Sequence, residues 1–423
     1  MRKPFVILIS LFFFCISVQA SWAEEVLTWE ECIKEAAKNH PDLIAALEEV
    51  KQSEAEKKIT ASTLYPQVDS SLSASTARTD NNTTRSTGDS YSYGVSGTQL
   101  IFDGTKTIQD VKAASENISA SKQNFKFASV TVRFNLRSAY TKLLKSQEAL
   151  KITKEIYDIR RSNLELITLR YESGLEHKGA LLTAEADLAD AEYQVAQAQR
   201  GLEVSQRNLI KEMGREKFAP ILVKGELRVR DTAKEKPDFE AIARSNPSLL
   251  QIIAQKNAAQ FSLKSAYANF SPSLTGSAGA SKGGAHWSPN GDNWNLGLTL
   301  SMPIFEGGLR LAQVSQAQAL LNQLRENERS TRDSLVSTLE QTWAALQDAV
   351  DNVNVQHKSL IATQERSKIA QAEYSIGFIS FDNWTIIEDN LVSAKNAYLN
   401  AQANALLAEA SWIQAKGETL EYD

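Results

Sequence analysis

Two stretches decide the fold, Ile101-Phe102-Asp103-Gly104 and Ile304-Phe305-Glu306-Gly307, which are nearly identical and lie 203 residues apart. The same shift superimposes Tyr171 on Tyr374, Gly174 on Gly377, Glu185 on Glu388, Leu188 on Leu391 and Gly214 on Gly417. Upstream the shift is 206, and it places Pro41 on Pro247, Leu43 on Leu249 and Pro66 on Pro272. Because the register extends over most of the chain, the sequence predicts two copies of one structural unit.

Each copy is predicted to contain one very long helix directly after its repeated stretch. Sixty-nine residues without glycine or proline separate Gly104 from Gly174, and 68 separate Gly308 from Gly377. At 1.5 Å per residue, each segment would span about 100 Å as one continuous helix. Helices of ordinary globular proteins are far shorter, so these lengths indicate a coiled coil or a rod of repeats.

A shorter helix is predicted to open each copy, and another to close it. The opening helices are expected at about 28–62 and 236–268, and the closing helices at about 178–213 and 381–416. Pro41 and Pro247 lie early in the opening helices. The residue before a proline avoids the helical conformation, which predicts a break just after the first turns.

Two strand-like segments lie between the opening and the long helix of each copy. From Asn293 to Met302 the apolar side chains fall on one face, namely Trp294, Leu296, Leu298, Leu300 and Met302. Similar alternation marks about 66–76, 91–98 and 272–282, and the polar stretches 79–89 and 283–292 are expected to be exposed loops. Alternating segments of about ten residues are typical of transmembrane barrel strands. Taken alone, the alternation also fits a half-buried sheet of a soluble protein.

Four strands cannot close a barrel, since an open sheet edge in lipid leaves backbone groups unpaired. Other copies of the chain must therefore supply further strands. Two copies would give eight strands, whose interior is filled by side chains, whereas three would give twelve and an open lumen. The polar inner faces are rich in serine, glycine and threonine, which favours three copies without excluding two.

The N-terminal segment and the composition limit where the protein can act and which partners it can have. Residues 1–23 are predicted to be a signal peptide, because Arg2 and Lys3 precede an apolar run and small residues follow it; a retained anchor is the alternative. Its removal would change the formal net charge from −5 to −7 and leave Cys32 as the one cysteine, without an intrachain disulfide. The acidic balance argues against nucleic acid as a partner.

The repeat register predicts the domain boundaries. They are a signal peptide at 1–23, a first repeat at 24–214, a linker at 215–238, a second repeat at 239–417 and a C-terminal tail at 418–423. The linker is charged and is expected to hold at most a short strand at its apolar run, 221–223.

Residues for catalysis, or for metal or cofactor binding, do not form a recognisable set. The four histidines, His40, His177, His286 and His357, lie in different elements, and none has a second histidine or cysteine at ligand spacing. No glycine-rich phosphate loop follows a predicted strand. We therefore expect neither an enzyme nor a cofactor.

Taken together, these features resemble the TolC-type outer-membrane efflux protein family. The resemblance rests on the two copies, on the motifs at 101–104 and 304–307, and on the Tyr-x-x-Gly turns at 171–174 and 374–377; it covers about residues 26–417. It implies a mostly α-helical homotrimer with a twelve-stranded membrane barrel and a twelve-helix tunnel, placed in the outer membrane and extending into the periplasm.

The same resemblance implies a passive exit duct of a tripartite efflux pump or type I secretion system. Its partners would then be outer-membrane lipid, a periplasmic adaptor and an inner-membrane pump. A periplasmic coiled-coil adaptor without its own barrel is the alternative. The sequence does not indicate which substrate is exported.

By resemblance, the two helical turns would close the tunnel and contact the adaptor. The residues concerned are Tyr171, Gly174, Leu175, Tyr374, Gly377 and Phe378. In the best-studied channel of the family, a tyrosine–arginine lock and aspartate rings close the mouth. Tyr374 matches the tyrosine, but Ile379, Asn383 and Ile386 occupy the arginine and aspartate positions. A slip of one residue brings in Asp382, so a ring of three Asp382 carboxylates is a candidate aperture, with a solvated helix N-cap as the alternative.

Overall fold

The computed structural model describes residues 25–81, 84–229 and 236–420. The predicted signal peptide lies outside these ranges, as does the end of the predicted C-terminal tail. The predicted domain boundaries therefore stay predictions, although the elements of both copies are visible.

The first copy contains two strands and four helices in a fixed order, after a short N-terminal strand. The elements are β1 (Glu25–Leu27), α1 (Trp29–Asn39), α2 (Pro41–Ser62), β2 (Gln67–Asn81), β3 (Thr84–Phe102), α3 (Lys106–Glu172) and α4 (Lys178–Glu212). The linker strand β4 (Ile221–Val223) follows. The second copy repeats the order as α5 (Phe239–Ser245), α6 (Pro247–Ala268), β5 (Ser273–Gly284), β6 (Gly291–Ser301), α7 (Leu309–Ser375) and α8 (Phe381–Lys416).

Both long helices are continuous over 67 residues, which confirms the prediction from the glycine- and proline-free segments. At 1.5 Å per residue each is about 100 Å long. None of the helices in the described ranges has both the length and the hydropathy needed to cross a membrane.

The opening helix of each copy is interrupted before its proline, as predicted. His40 Nδ1 accepts a hydrogen bond from the backbone N–H of Asp42 at 3.2 Å, and Asn246 Oδ1 accepts one from Ser248 at 3.0 Å. Each side chain thus caps the helix that its following proline begins, where a missing N–H costs nothing.

Glycines in the left-handed conformation turn the chain from each hairpin into each long helix. Gly104 has a φ of +67° and Gly308 a φ of +88°. A Cβ added at Gly104 would lie 2.1 Å from the Cβ of Ser271, so this corner needs glycine for space as well as for conformation.

The strands of both copies form one antiparallel sheet in the order β2-β3-β5-β6. β3 and β5 join the two copies, with a register irregularity between Leu100 and Phe102. β2 and β6 are the edge strands, so within the described chain each pairs on one side only.

The two faces of this sheet differ sharply in polarity, as the alternation predicted. Cross-strand partners share a face, so the pairs Leu72–Tyr93, Ala280–Trp294 and Ala278–Leu296 lie together on one side. Trp294 is 82% exposed and Leu296 79% exposed. The opposite face carries mainly serine, threonine, glycine and asparagine. An exposed apolar sheet face of this size marks a surface for lipid or another partner.

The strands extend further than predicted. Most of 79–89 belongs to the β2–β3 hairpin rather than to a loop, and 283–292 keeps only 285–290 outside regular strand structure. Backbone pairing continues from Arg78 opposite Thr87 through Asn81 opposite Thr84. A hairpin that is polar on both faces gives no alternation signal, although its backbone hydrogen bonds form all the same.

A small cluster, here called the collar, joins the strands β1 and β4 to helices of the first copy. β1 and β4 pair in parallel, and buried apolar residues of α1, α3, α4 and both strands form one core cluster around them. Arg215 ties the collar together, since its guanidinium donates to Glu35 at 2.5 Å and to Glu25 at 2.6 Å. The linker strand confirms the prediction for 221–223, but its partner β1 was not predicted.

The shorter helices pack along the two long helices, α3 and α7. α3 packs against α2 and α4 of its own copy and also against α6 and α8 of the second copy. In contrast, the main helical packing of α7 involves α5, α6 and α8, all from its own copy. Away from the tip, α7 therefore forms one edge of the described helical layer, and α2 with α4 forms the other.

Candidate functional site

The candidate site is the tip, meaning the two turns that join α3 to α4 and α7 to α8. Gly174 has a φ of +72° and Gly377 a φ of +81°. The N–H of Leu175 donates to the carbonyl of Arg170, and that of Phe378 donates to Glu373, both at 2.8 Å. This paired pattern closes a helix around a left-handed residue, which explains the repeated glycine.

The second helix of each tip hairpin starts with a side-chain cap. His177 Nδ1 accepts from the N–H of Ala180 at 3.1 Å, and Ser380 Oγ accepts from Asn383 at 3.4 Å. Asp382 follows in the first turn, so the alternative that made it the N-cap is wrong. His177, which was not expected to have a role, is 67% exposed but caps α4.

Tyr374 lies inside the tip rather than on its surface. Its ring is only 2% exposed and stacks on Trp384 with centroids 4.6 Å apart. Its hydroxyl donates to Glu176 Oε2 at 2.9 Å, and the guanidinium of Arg170 lies 4.8 Å from the ring centroid. The adaptor contact at this turn stays a prediction; within the single chain, the Tyr374 side chain joins the second copy to the first beneath the surface.

The electrostatics of this contact keep the tyrosine protonated. Burial raises the pKa of Tyr374, and its hydrogen bond to Glu176 raises this pKa further. Arg170 above the ring has the opposite effect. Two polar atoms remain buried here without a partner, Arg170 Nε and Trp384 Nε1.

The outer surface of the tip is apolar. Ile376 is 79% exposed, Phe378 78% and Leu175 68%, whereas Tyr171 is 37% exposed. None of these side chains belongs to the core cluster at the tip. Large apolar groups at the end of a polar helical rod mark a contact surface.

The three candidate aperture residues share the exposed side of the start of α8. Asp382 and Asn383 are exposed, and Ile386 is 58% exposed. Ile379, at the position of the family's lock arginine, is half-buried against the tip core. The cation beside Tyr374 is instead Arg170 from the first copy. The family resemblance, which pointed to position 379, did not predict this partner.

A polar layer lies above this core and also joins the two copies. Arg160 of α3 contacts Asp187 of α4 at 3.5 Å and forms a hydrogen bond with Asp389 of α8. Glu388 is buried and accepts a hydrogen bond from Ser367 at 2.5 Å. Burial raises the pKa of Asp187. The recurrence of an acid at 185 and 388 was the one sequence signal of this layer.

No cluster of three or more metal-ligating side chains occurs within the described ranges. The cavity beside the polar layer has a volume of about 10 Å³, which is enough for one water molecule, and its lining includes Arg160 and Trp384. The geometry thus offers a joint between helical hairpins and an apolar contact surface rather than a pocket for a small molecule.

Comparison with known proteins decides the family. The sequence profile described as outer membrane efflux protein matches residues 32–215 and 240–418. The chain belongs to the outer membrane efflux protein family. The family assignment places this chain among outer-membrane efflux proteins.

Individual relatives are distant in sequence but similar in fold. Outer membrane protein TolC of Escherichia coli K12 is 24% identical over 349 residues, covering 77% of this chain and 69% of TolC. Outer membrane efflux protein BepC of Brucella suis is 20% identical over 388 residues, covering 90% and 83%. The crystal structure of the CmeC outer membrane channel of Campylobacter jejuni superimposes with a TM-score of 0.80 at 19% identity, covering 93% and 86%.

Proposed function

We propose that this outer membrane efflux protein is the trimeric exit duct of a tripartite efflux assembly or a type I secretion system. In that role three chains complete a twelve-stranded barrel and a twelve-helix tunnel, and export through it is passive. An inner-membrane pump supplies the energy, and a periplasmic adaptor connects pump and duct.

The sheet supports the barrel part of this proposal. Its apolar face is exposed, and its edge strands β2 and β6 each have one unpaired side within the described chain. Lipid cannot satisfy free backbone groups, so strands from other copies must cover both edges. Three copies bring twelve strands and, with them, a lumen lined by the polar face.

The exposed apolar side chains at the tip support the proposed contact with an adaptor. Leu175, Ile376 and Phe378 lie at the end of helices about 100 Å long, far from the sheet, and each is more than two-thirds exposed. Water is a poor solvent for such a group of side chains, and a partner that covers them gains apolar burial. A periplasmic adaptor that reaches the tip is the partner that fits an exit duct.

In-cell photo-crosslinking tests this proposal directly. A photoreactive amino acid at Leu175 or Phe378 should capture a periplasmic adaptor, identified by mass spectrometry. Tyr193, which is 57% exposed in the middle of α4, is the matched control position and should capture much less. The identity of the adaptor then tells an efflux pump from a secretion system.

Two results would oppose the proposal. Equal capture of the adaptor from Tyr193 would move the contact away from the tip. No adaptor capture from a chain that is also absent from the outer-membrane fraction would favour the alternative, a periplasmic coiled-coil protein without its own barrel.

A further inference from the structure

The packing between the two copies of the repeat contains one ion pair that is informative beyond a single chain. Lys395 of α8 lies 3.3 Å from Glu155 of α3, and its side chain is only 18% exposed. This pair sits where the long helix of the first copy meets the closing helix of the second copy. It therefore belongs to the interface between repeats and not to either repeat alone.

The internal repeat predicts a second interface of the same kind. α7 corresponds to α3, and α4 corresponds to α8, at the shift of 203 residues. α3 packs against the closing helix of the next repeat, α8, whereas α7 has no following repeat within its chain. If repeats succeed one another in a ring, α7 of one chain meets α4 of the next chain as α3 meets α8.

Applying the shift to the ion pair exchanges its charges. Glu155 moves onto Lys358 of α7, and Lys395 moves onto Glu192 of α4. Opposite charges thus recur at the corresponding positions, with the acid and the base on the opposite helices. Both side chains are exposed, and neither has an ion-pair partner within the described part of the chain.

Apolar side chains around these positions also lack cover. Val355 of α7 and Val204 of α4 are each 60% exposed. Their shifted counterparts, Ile152 and Leu407, are half-buried within the single chain. A second copy placed on α7 in the same register would cover the two valines on the two edges of the helical layer.

We propose that Lys358 of one chain forms an ion pair with Glu192 of a second chain, across an interface between α7 and α4. The inference rests on the trimer of the proposed function and adds its axial register. The charge pattern also selects a head-to-tail contact, since two α7 helices would bring lysines together and two α4 helices would bring glutamates together.

Cysteine crosslinking tests the register. The double variant Lys358→Cys with Glu192→Cys is treated with a short thiol-to-thiol reagent in native membranes and should run as a covalent trimer on a denaturing gel. The matched control replaces Glu192→Cys by Gln199→Cys, which lies two helical turns further along exposed α4. Cys32 is buried and does not compete.

Charge exchange gives a second readout. Lys358→Glu alone and Glu192→Lys alone should each lower the temperature at which the trimer dissociates in detergent, because each creates a like-charge pair. The combined exchange should restore most of that loss. Independent, additive losses would overturn the ion pair.

The outcomes separate this inference from the function on which it rests. A trimer in detergent that links through the Gln199→Cys control, or through neither pair, overturns the register and leaves the exit duct standing. A chain that stays monomeric in detergent overturns both. A covalent trimer from the first pair alone supports the interface as stated.

Discussion

Replacing Tyr374 by phenylalanine tests the joint at the tip with the loss of a single oxygen atom. The ring remains, so its stacking on Trp384 and its contact with Arg170 persist. What disappears is the hydrogen bond to Glu176, which joins the end of α7 in the second copy to the first turn. The side chain of Glu176 is 11% exposed, so water replaces that bond poorly.

The expected magnitude follows from the type of bond. A hydrogen bond to a charged group contributes about 1.5–3 kcal/mol, and about 1.4 kcal/mol corresponds to a factor of ten in an equilibrium constant. If the bond exists only in the closed tip, its loss raises the ratio of open to closed hairpins about ten- to hundredfold in each chain. Folding of the rod should be little affected, since the site is at its end.

Single-channel conductance in planar bilayers measures this directly. We expect Tyr374→Phe to show a larger mean conductance and more frequent opening than the unchanged protein. Tyr171→Phe is the matched control, because Tyr171 holds the corresponding position in the first copy but is 37% exposed. A folded Tyr374→Phe channel with unchanged conductance, or an equal effect of Tyr171→Phe, would refute the reasoning.

The pH dependence of the same joint has a definite sign. The pKa of Tyr374 is raised in the folded chain, chiefly by burial. Its stabilising contribution is therefore complete below the unfolded pKa of about 10 and is lost as the pH rises through the folded value. Conductance changes of the unchanged protein below pH 10 cannot come from ionisation of this tyrosine.

Three further predictions concern single positions elsewhere. Gly104→Ala should lower the melting temperature more than Gly307→Ala. Both substitutions place a non-glycine residue in the left-handed conformation, which costs about 1–2 kcal/mol, but only at Gly104 does the new Cβ also meet Ser271. Equal losses in melting temperature would contradict this close approach. Asp382→Ala should raise conductance or weaken block by multivalent cations; if neither changes, the aperture lies elsewhere. Burial raises the pKa of the Cys32 thiol to about 12, so maleimide should label it slowly at pH 7 in the folded protein and rapidly in denaturant.

The helices could be predicted from sequence because their signals are local. Two uninterrupted segments of nearly 70 residues, each ended by a glycine in positive φ, leave little choice but a long helix. The prolines at 41 and 247 fixed the breaks for the same reason. The sheet was predicted in position and facing but not in length, because the outer part of the β2–β3 hairpin is polar on both sides.

At the tip, too, the features with local causes could be predicted from sequence, whereas those that depend on distant residues could not. The glycines of both turns follow from helix termination alone. The contact among Arg170, Glu176 and Tyr374 joins positions about 200 residues apart, and it depends on how two coiled coils are rotated about their axes. Residue spacing does not reveal this rotation. The family resemblance does not reveal it either, since it points to position 379, where this chain has Ile379, and not to Arg170.

The differences between the copies explain why the two tip tyrosines have different environments. Phe381 and Trp384 form the aromatic wall around Tyr374, but the shift of 203 residues places Lys178 and Leu181 at the corresponding positions of the first copy. Tyr171 consequently lacks an aromatic wall and remains partly exposed. Repetition thus gives the two hairpins similar lengths and the same turn, while divergence at a few positions buries the tyrosine of the second hairpin, which donates a hydrogen bond across to Glu176 of the first. The contact made by Tyr374 should therefore oppose opening more than any contact made by Tyr171, and the unequal effects expected of Tyr374→Phe and Tyr171→Phe follow from that asymmetry.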